Sequence, residues 1–225
     1  MAADLVTIPV GEGTVSGLWL APESARAACI LAHGAGAGMR HRFLESAATG
    51  MAARGVASLR YQFPYMEAGR NRPDMPKVAT ATVRSAVAAA AALAPTLPVF
   101  AGGKSFGGRM TSTAEAEAHL HGIRGLFFLG FPLHPPGKPS DERGVHLTSV
   151  GIPMLFLSGT RDDFAALPLL EKQVARLGPL ATLRLFQDAN HSFAVPKGSG
   201  STTTGTLDAV LDALVAWIDA VLATR

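Results

Sequence analysis

The chain has 225 residues, of which 48% are hydrophobic and only 16% charged. That composition fits one α/β domain over residues 1–225, with length enough for a core, and argues against a disordered chain. The formal net charge is +3, but the arginines are dispersed and no basic run is interleaved with aromatics, so nucleic acid is not an expected partner. Cys29 is the only cysteine, no basic and apolar leader follows Met1, and no uncharged apolar run reaches the roughly 18 residues of a membrane span. These features predict a cytoplasmic protein without a membrane partner.

Leu5–Val10 and Thr14–Leu20 alternate around Gly11-Glu12-Gly13, which predicts an antiparallel hairpin at a sheet edge. After a loop over 22–27, Ala28–Ala32 is continuously apolar, as for a strand covered on both faces, and it ends in His33-Gly34-Ala35-Gly36-Ala37-Gly38. A helix over Phe43–Arg54 with Gly55 as C-cap precedes a strand over Val56–Tyr61. A proline-punctuated loop, Gln62–Pro73, follows; its aromatic residues Phe63 and Tyr65, with Met66, are expected to line a pocket, and Arg70 and Arg72 are candidates to meet an acidic substrate group. An alanine-rich helix over Val78–Ala94 is stopped by Pro95.

Further on, Val99–Lys104 reads as a strand that turns at Ser105 into a helix ending near His121. Ile123–Phe131 is another strand, followed by a proline-rich stretch that carries His134 and is too short for a lid domain. A strand over Ile152–Ser158, a helix over Ala165–Leu177 and a last strand over Thr182–Phe186 come next. A polar linker over Ser199–Gly205 precedes a closing amphipathic helix. Strand and helix alternate through most of the chain, which predicts a mostly parallel, doubly wound sheet flanked by helices. In such sheets sites lie at the carboxyl ends of strands. The His33 loop, Ser105, Asp162 and His191 all follow strands and are therefore expected to converge.

Two glycine-rich stretches invite other readings, and their spacing rejects both. Gly103-Lys104-Ser105 resembles the end of a phosphate-binding loop, but the first glycine of that motif would fall on Pro98. In the loop after His33, the third glycine of a dinucleotide fingerprint would fall on Met39 or His41. What fits is G-x-S-x-G at Gly103, Ser105 and Gly107. A serine at the tip of a tight strand-to-helix turn sits at strained φ, with its neighbours two residues away pressed against backbone, so those neighbours must be small.

A serine hydroxyl is a poor nucleophile and needs a base, and the base needs a third group to fix its tautomer. His191 alone among the histidines follows the last strand. Asp162 is preferred to Asp163 because it comes first after its strand. The chain order Ser105, Asp162, His191, with Gly159-Thr160-Arg161-Asp162 and Asn190-His191-Ser192-Phe193, resembles the α/β-hydrolase superfamily, near its small, lidless dienelactone-hydrolase-like members. The resemblance runs from the His33 loop to the closing helix. It implies Ser105 as nucleophile, His191 as base and Asp162 as orienting acid, with an oxyanion hole from the N–H groups of Phe106 and Ala35. The nucleophile of dienelactone hydrolases proper is cysteine, so the dienelactone substrate does not carry over.

The expected function is hydrolysis of a small to medium carboxylic ester, with His134 joining Phe63 and Tyr65 as substrate-contact candidates. Thioester cleavage or acyl transfer would use the same residues, and a non-catalytic scaffold on the same fold is the reading from a different class. No cofactor is implied, and no His, Cys or carboxylate set has metal-ligand spacing.

Overall fold

A computed structural model of the protein describes residues 2–224. Its eight strands are β1 (Asp4–Val10), β2 (Gly13–Leu20), β3 (Ala27–Ala32), β4 (Val56–Tyr61), β5 (Val99–Lys104), β6 (Ile123–Leu129), β7 (Met154–Arg161) and β8 (Ala181–Asn190). They form one sheet in the order β1-β2-β4-β3-β5-β6-β7-β8. The hairpin β1–β2 lies at one edge and β2 pairs antiparallel with β4; every other pairing is parallel. The six helices are α1 (Arg42–Ala53), α2 (Pro64–Glu67), α3 (Pro76–Leu93), α4 (Phe106–Glu117), α5 (Leu167–Leu177) and α6 (Thr203–Ala223).

Alternation along the central strands assigns side chains to two cores. Cys29 and Leu31, Phe100, Phe127 and Leu129, Leu155 and Leu157 face α1 and α6. Ile30 and Ala32, Ala101, Leu126 and Phe128, Met154 and Phe156 face α3, α4 and α5. This two-sided cover is why these strands read as unbroken apolar runs, and why Cys29 is buried with its thiol pKa pushed up by desolvation. Among the described residues no separate lid domain covers the carboxyl edge of the sheet, and no helix is long and apolar enough to cross a membrane.

Elements that differ from the sequence reading include α4, which ends at Glu117 rather than near His121. The predicted loop over 62–73 contains α2, started by Pro64 at a position where the missing N–H costs nothing. A 3₁₀ segment, Glu142–Ser149, fills the stretch after β6. β8 extends to Asn190 rather than stopping at Phe186: as an edge strand it tolerates polar Gln187 and Asp188, and a register irregularity carries its pairing with β7 from Gly159↔Phe186 to Arg161↔Asn190.

Candidate active site

β5 ends in the turn on which the site is built. Ser105 has φ 49°, a left-handed value that a non-glycine residue adopts only when its surroundings hold it there. Those surroundings are tight. A methyl group on Gly103 would fall on the carbonyl oxygen of Ala32, and one on Gly107 would lie 2.6 Å from the carbonyl oxygens of both Ala32 and His33. The glycine spacing of the motif is therefore what lets β5 and α4 close against the end of β3. The turn lifts the Ser105 hydroxyl over the first turn of α4, whose N–H groups and dipole favour negative charge.

The other two groups arrive from β7 and β8. His191 Nε2 lies 2.9 Å from Ser105 Oγ. Its Nδ1 lies 2.9 and 2.8 Å from the two carboxylate oxygens of Asp162, the nearer of the two aspartates after β7. Asp162 Oδ1 also accepts from the Phe164 N–H at 2.8 Å, and the Phe164 ring stacks on the imidazole with centroids 4.2 Å apart. Asn190 pins the histidine loop: its Oδ1 accepts from the N–H groups of Ser192 and Ala194, and Phe193, at φ 60°, plugs into the core beneath. Burial is the main influence on the imidazole and lowers its pKa below the ordinary 6.5; the Asp162 hydrogen bond opposes this, and the Lys104 charge adds to it. The ring is thus neutral at pH 7, with Nδ1 donating to Asp162 and Nε2 free to accept the serine proton.

The N–H groups of Ala35 and Phe106 donate to no protein acceptor among the described residues. The Ala35 loop is held from behind. Buried His33 donates from Nδ1 to Gly34 O and accepts the Phe63 N–H at Nε2, at 2.8 and 3.1 Å, a neutral tautomer consistent with a pKa lowered by desolvation to about 4. Tyr65 accepts the Gly36 N–H at its hydroxyl, 3.0 Å away.

These contacts correct the expected pocket. Phe63 and Tyr65 are fully buried behind the His33 loop, because α2 turns their rings inward onto His33 and each other. His134 is also buried, accepting the Ala166 N–H at Nε2 and donating from Nδ1 to Pro135 O. Arg70 pairs with Asp74. None of them borders the cavity that opens at Ser105 and His191, whose walls are α1, α6, Phe164 and the Ala35 loop. Among the described residues no group of three His, Cys, Asp or Glu side chains could hold a metal ion.

In the sequence Lys104 figures only as part of a rejected phosphate-binding loop, and no role in this site is read for it. Its ammonium is buried, has no hydrogen-bond partner among the described residues, and sits behind the histidine. A methyl group on Gly130 would lie 3.1 Å from Lys104 Nζ and 3.2 Å from His191 Nδ1, so the two nitrogens flank one point. Burial lowers the lysine pKa from 10.5 to about 8, with Asp162 resisting. The folded chain therefore releases this proton before the unfolded chain does. The resulting penalty is full below about pH 8 and fades as pH rises towards 10.5; at pH 7 it is on the order of 3 kcal/mol. Lys104→Met should raise the melting temperature at pH 7 by several degrees and move the His191 titration, followed by NMR, to higher pH. An unmoved titration would show that the ammonium does not act on the imidazole.

A strained serine after the fifth strand, an acid after the seventh and a histidine after the eighth, on a sheet of this order, define an α/β hydrolase. The alpha/beta hydrolase domain model matches residues 25–219, and the chain belongs to that family. Among solved structures it is similar to a dienelactone hydrolase from Anabaena variabilis, with 21% identity, a TM-score of 0.76 and 96% of each chain covered. It is also similar to a serine hydrolase without a lid from Xanthomonas campestris, with 18% identity, a TM-score of 0.76 and 96% and 95% of the two chains covered. A third likeness is to Est1E from Butyrivibrio proteoclasticus, in a structure with ferulic acid bound, at 15% identity, a TM-score of 0.73 and coverage of 97% and 99%.

Proposed function

We propose that the protein is a serine esterase that cleaves a carboxylic ester of small to medium size through an acyl-enzyme. The observation that carries this reading is the hydrogen-bonded chain from Ser105 Oγ through His191 to Asp162. Ser105 attacks the ester carbonyl as its proton passes to His191 Nε2. The developing oxyanion is received by the N–H groups of Ala35 and Phe106, which have no other acceptor among the described residues. The imidazolium, stabilised by Asp162, then protonates the leaving alcohol. In the second half His191 takes a proton from water, the hydroxide attacks the acyl carbonyl, and the carboxylic acid leaves as Ser105 regains its proton. No cofactor enters these steps. The open, lidless edge suits a small-molecule ester as the partner.

The test is a panel of p-nitrophenyl and alkyl esters assayed with wild type and Ser105→Ala. Turnover by wild type and its loss in the variant support the esterase reading. A folded wild type that turns over none of the esters would sink it.

A further inference from the structure

The cavity that begins at Ser105 and His191 continues as an open groove between α1 and α6, with a volume of about 1130 Å³. Phe43, Ser46 and Gly50 stand at i, i+3 and i+7 of α1, and Leu207 and Leu211 at i and i+4 of α6, within a lining that also includes the charged Arg42, Glu45 and Asp208. The surface presented is mostly carbon. The groove closes where the helices touch, since a methyl group built on Gly50 would overlap Leu211 Cδ1. At this closure Arg54 pairs with Asp208, itself part of the lining, at 3.4 Å and with Asp212 at 2.7 Å, so these blind-end charges are paired.

The dimensions choose the occupant. Phe43 to Gly50 is seven residue steps of helix, about 10 Å along the axis. An extended chain of single bonds advances about 1.2 Å per bond. We infer that the groove is the subsite for a straight aliphatic chain of about eight carbons, carried by the ester that Ser105 attacks, with its methyl end against Gly50 and Leu211. The inference rests on the esterase reading of Ser105. Each methylene that leaves water for such a surface strengthens binding about fourfold, so preference should climb with chain length until the blind end is reached. A bulky side chain at Ser46, exposed at the middle of the α1 stripe, would plug the groove without touching Ser105, His191 or Asp162.

The experiment measures kcat/KM for p-nitrophenyl acetate through palmitate, and for methyl through dodecyl acetate, in wild type, Ser46→Trp and Leu207→Trp. The acyl and alkyl arms tell on which side of the ester the chain lies. The inference expects a maximum near eight carbons in one arm, at least tenfold above the two-carbon ester, and a fall of at least tenfold in that ratio in a folded groove variant. A flat chain-length profile, a preference for methyl ferulate over the octanoyl and octyl esters, or a ratio unmoved in both variants overturns it. Binding of 1-octanol, read as amide shifts at Ser46 and Leu207, separates the two readings. Shifts without any ester turnover would remove the esterase and keep the groove, whereas turnover without shifts would keep the esterase and remove the groove.

Discussion

His191→Ala should lower kcat for the best ester by about 10⁶, the scale on which a serine hydrolase loses its base. In the resting site Nε2 is 2.9 Å from Ser105 Oγ and is the only side-chain base that hydrogen-bonds that hydroxyl among the described residues. Without it the serine keeps its proton, and what remains is the binding and oxyanion contribution. The loss should fall on kcat, with KM little changed, because the imidazole acts on the reacting atoms more than on the bound ground state. Burial holds the His191 pKa below 6.5, so in wild type the base is already free at neutral pH. Activity should therefore be on its plateau at pH 7 and fall only as the solution is acidified through the lowered imidazole pKa. A residual rate within tenfold of wild type would mean that another group is the base.

Asp162→Asn should cost about 10⁴ in kcat through a different route. Both carboxylate oxygens lie within 2.9 Å of His191 Nδ1, so the imidazole must carry its proton there and present a bare Nε2 to the serine. An asparagine amide offers a donor in place of one oxygen. It favours the opposite tautomer and leaves no negative charge to stabilise the imidazolium. Asp163 makes no such contact, and Asp163→Asn should stay within about threefold of wild type. A loss confined to Asp163→Asn would reverse the assignment and point to a rearranged loop after β7.

Why one half of the site is legible in the sequence and the other is not follows from how each is built. Ser105, Asp162 and His191 each sit at the carboxyl end of a strand, and each carries its own local signature: small residues around a strained turn, an acid after Gly159-Thr160-Arg161, and Asn190 pinning a histidine loop. Short-range chemistry fixes them, so a reading of short stretches finds them, and parallel strand order brings them together. The groove has no such signature. It arises between α1 and α6, helices from opposite ends of the chain that meet only because both cover the same face of the sheet. Leu207 and Leu211 look like any apolar stripe of an amphipathic helix.

The aromatic loop after β4 misleads for a related reason. Phe63 and Tyr65 belong to the site, but as support: Phe63 lends its N–H to His33, and the Tyr65 hydroxyl holds the loop that carries Ala35. Only α2, a four-residue helix with no strong periodic signal, decides that their rings point inward. Lys104 is a third case. A lysine closing an apolar strand is usually solvated, and its burial behind His191 depends on Gly130 leaving room for the ammonium.

The claim that everything else depends on is that Ser105 is an activated nucleophile. Intact-protein mass after exposure to a small fluorophosphonate measures this without knowledge of the substrate. Wild type should gain one adduct, mapped to Ser105 and absent from Ser105→Ala. A folded wild type that gains no adduct, or one that gains the same adduct after Ser105→Ala, would contradict it.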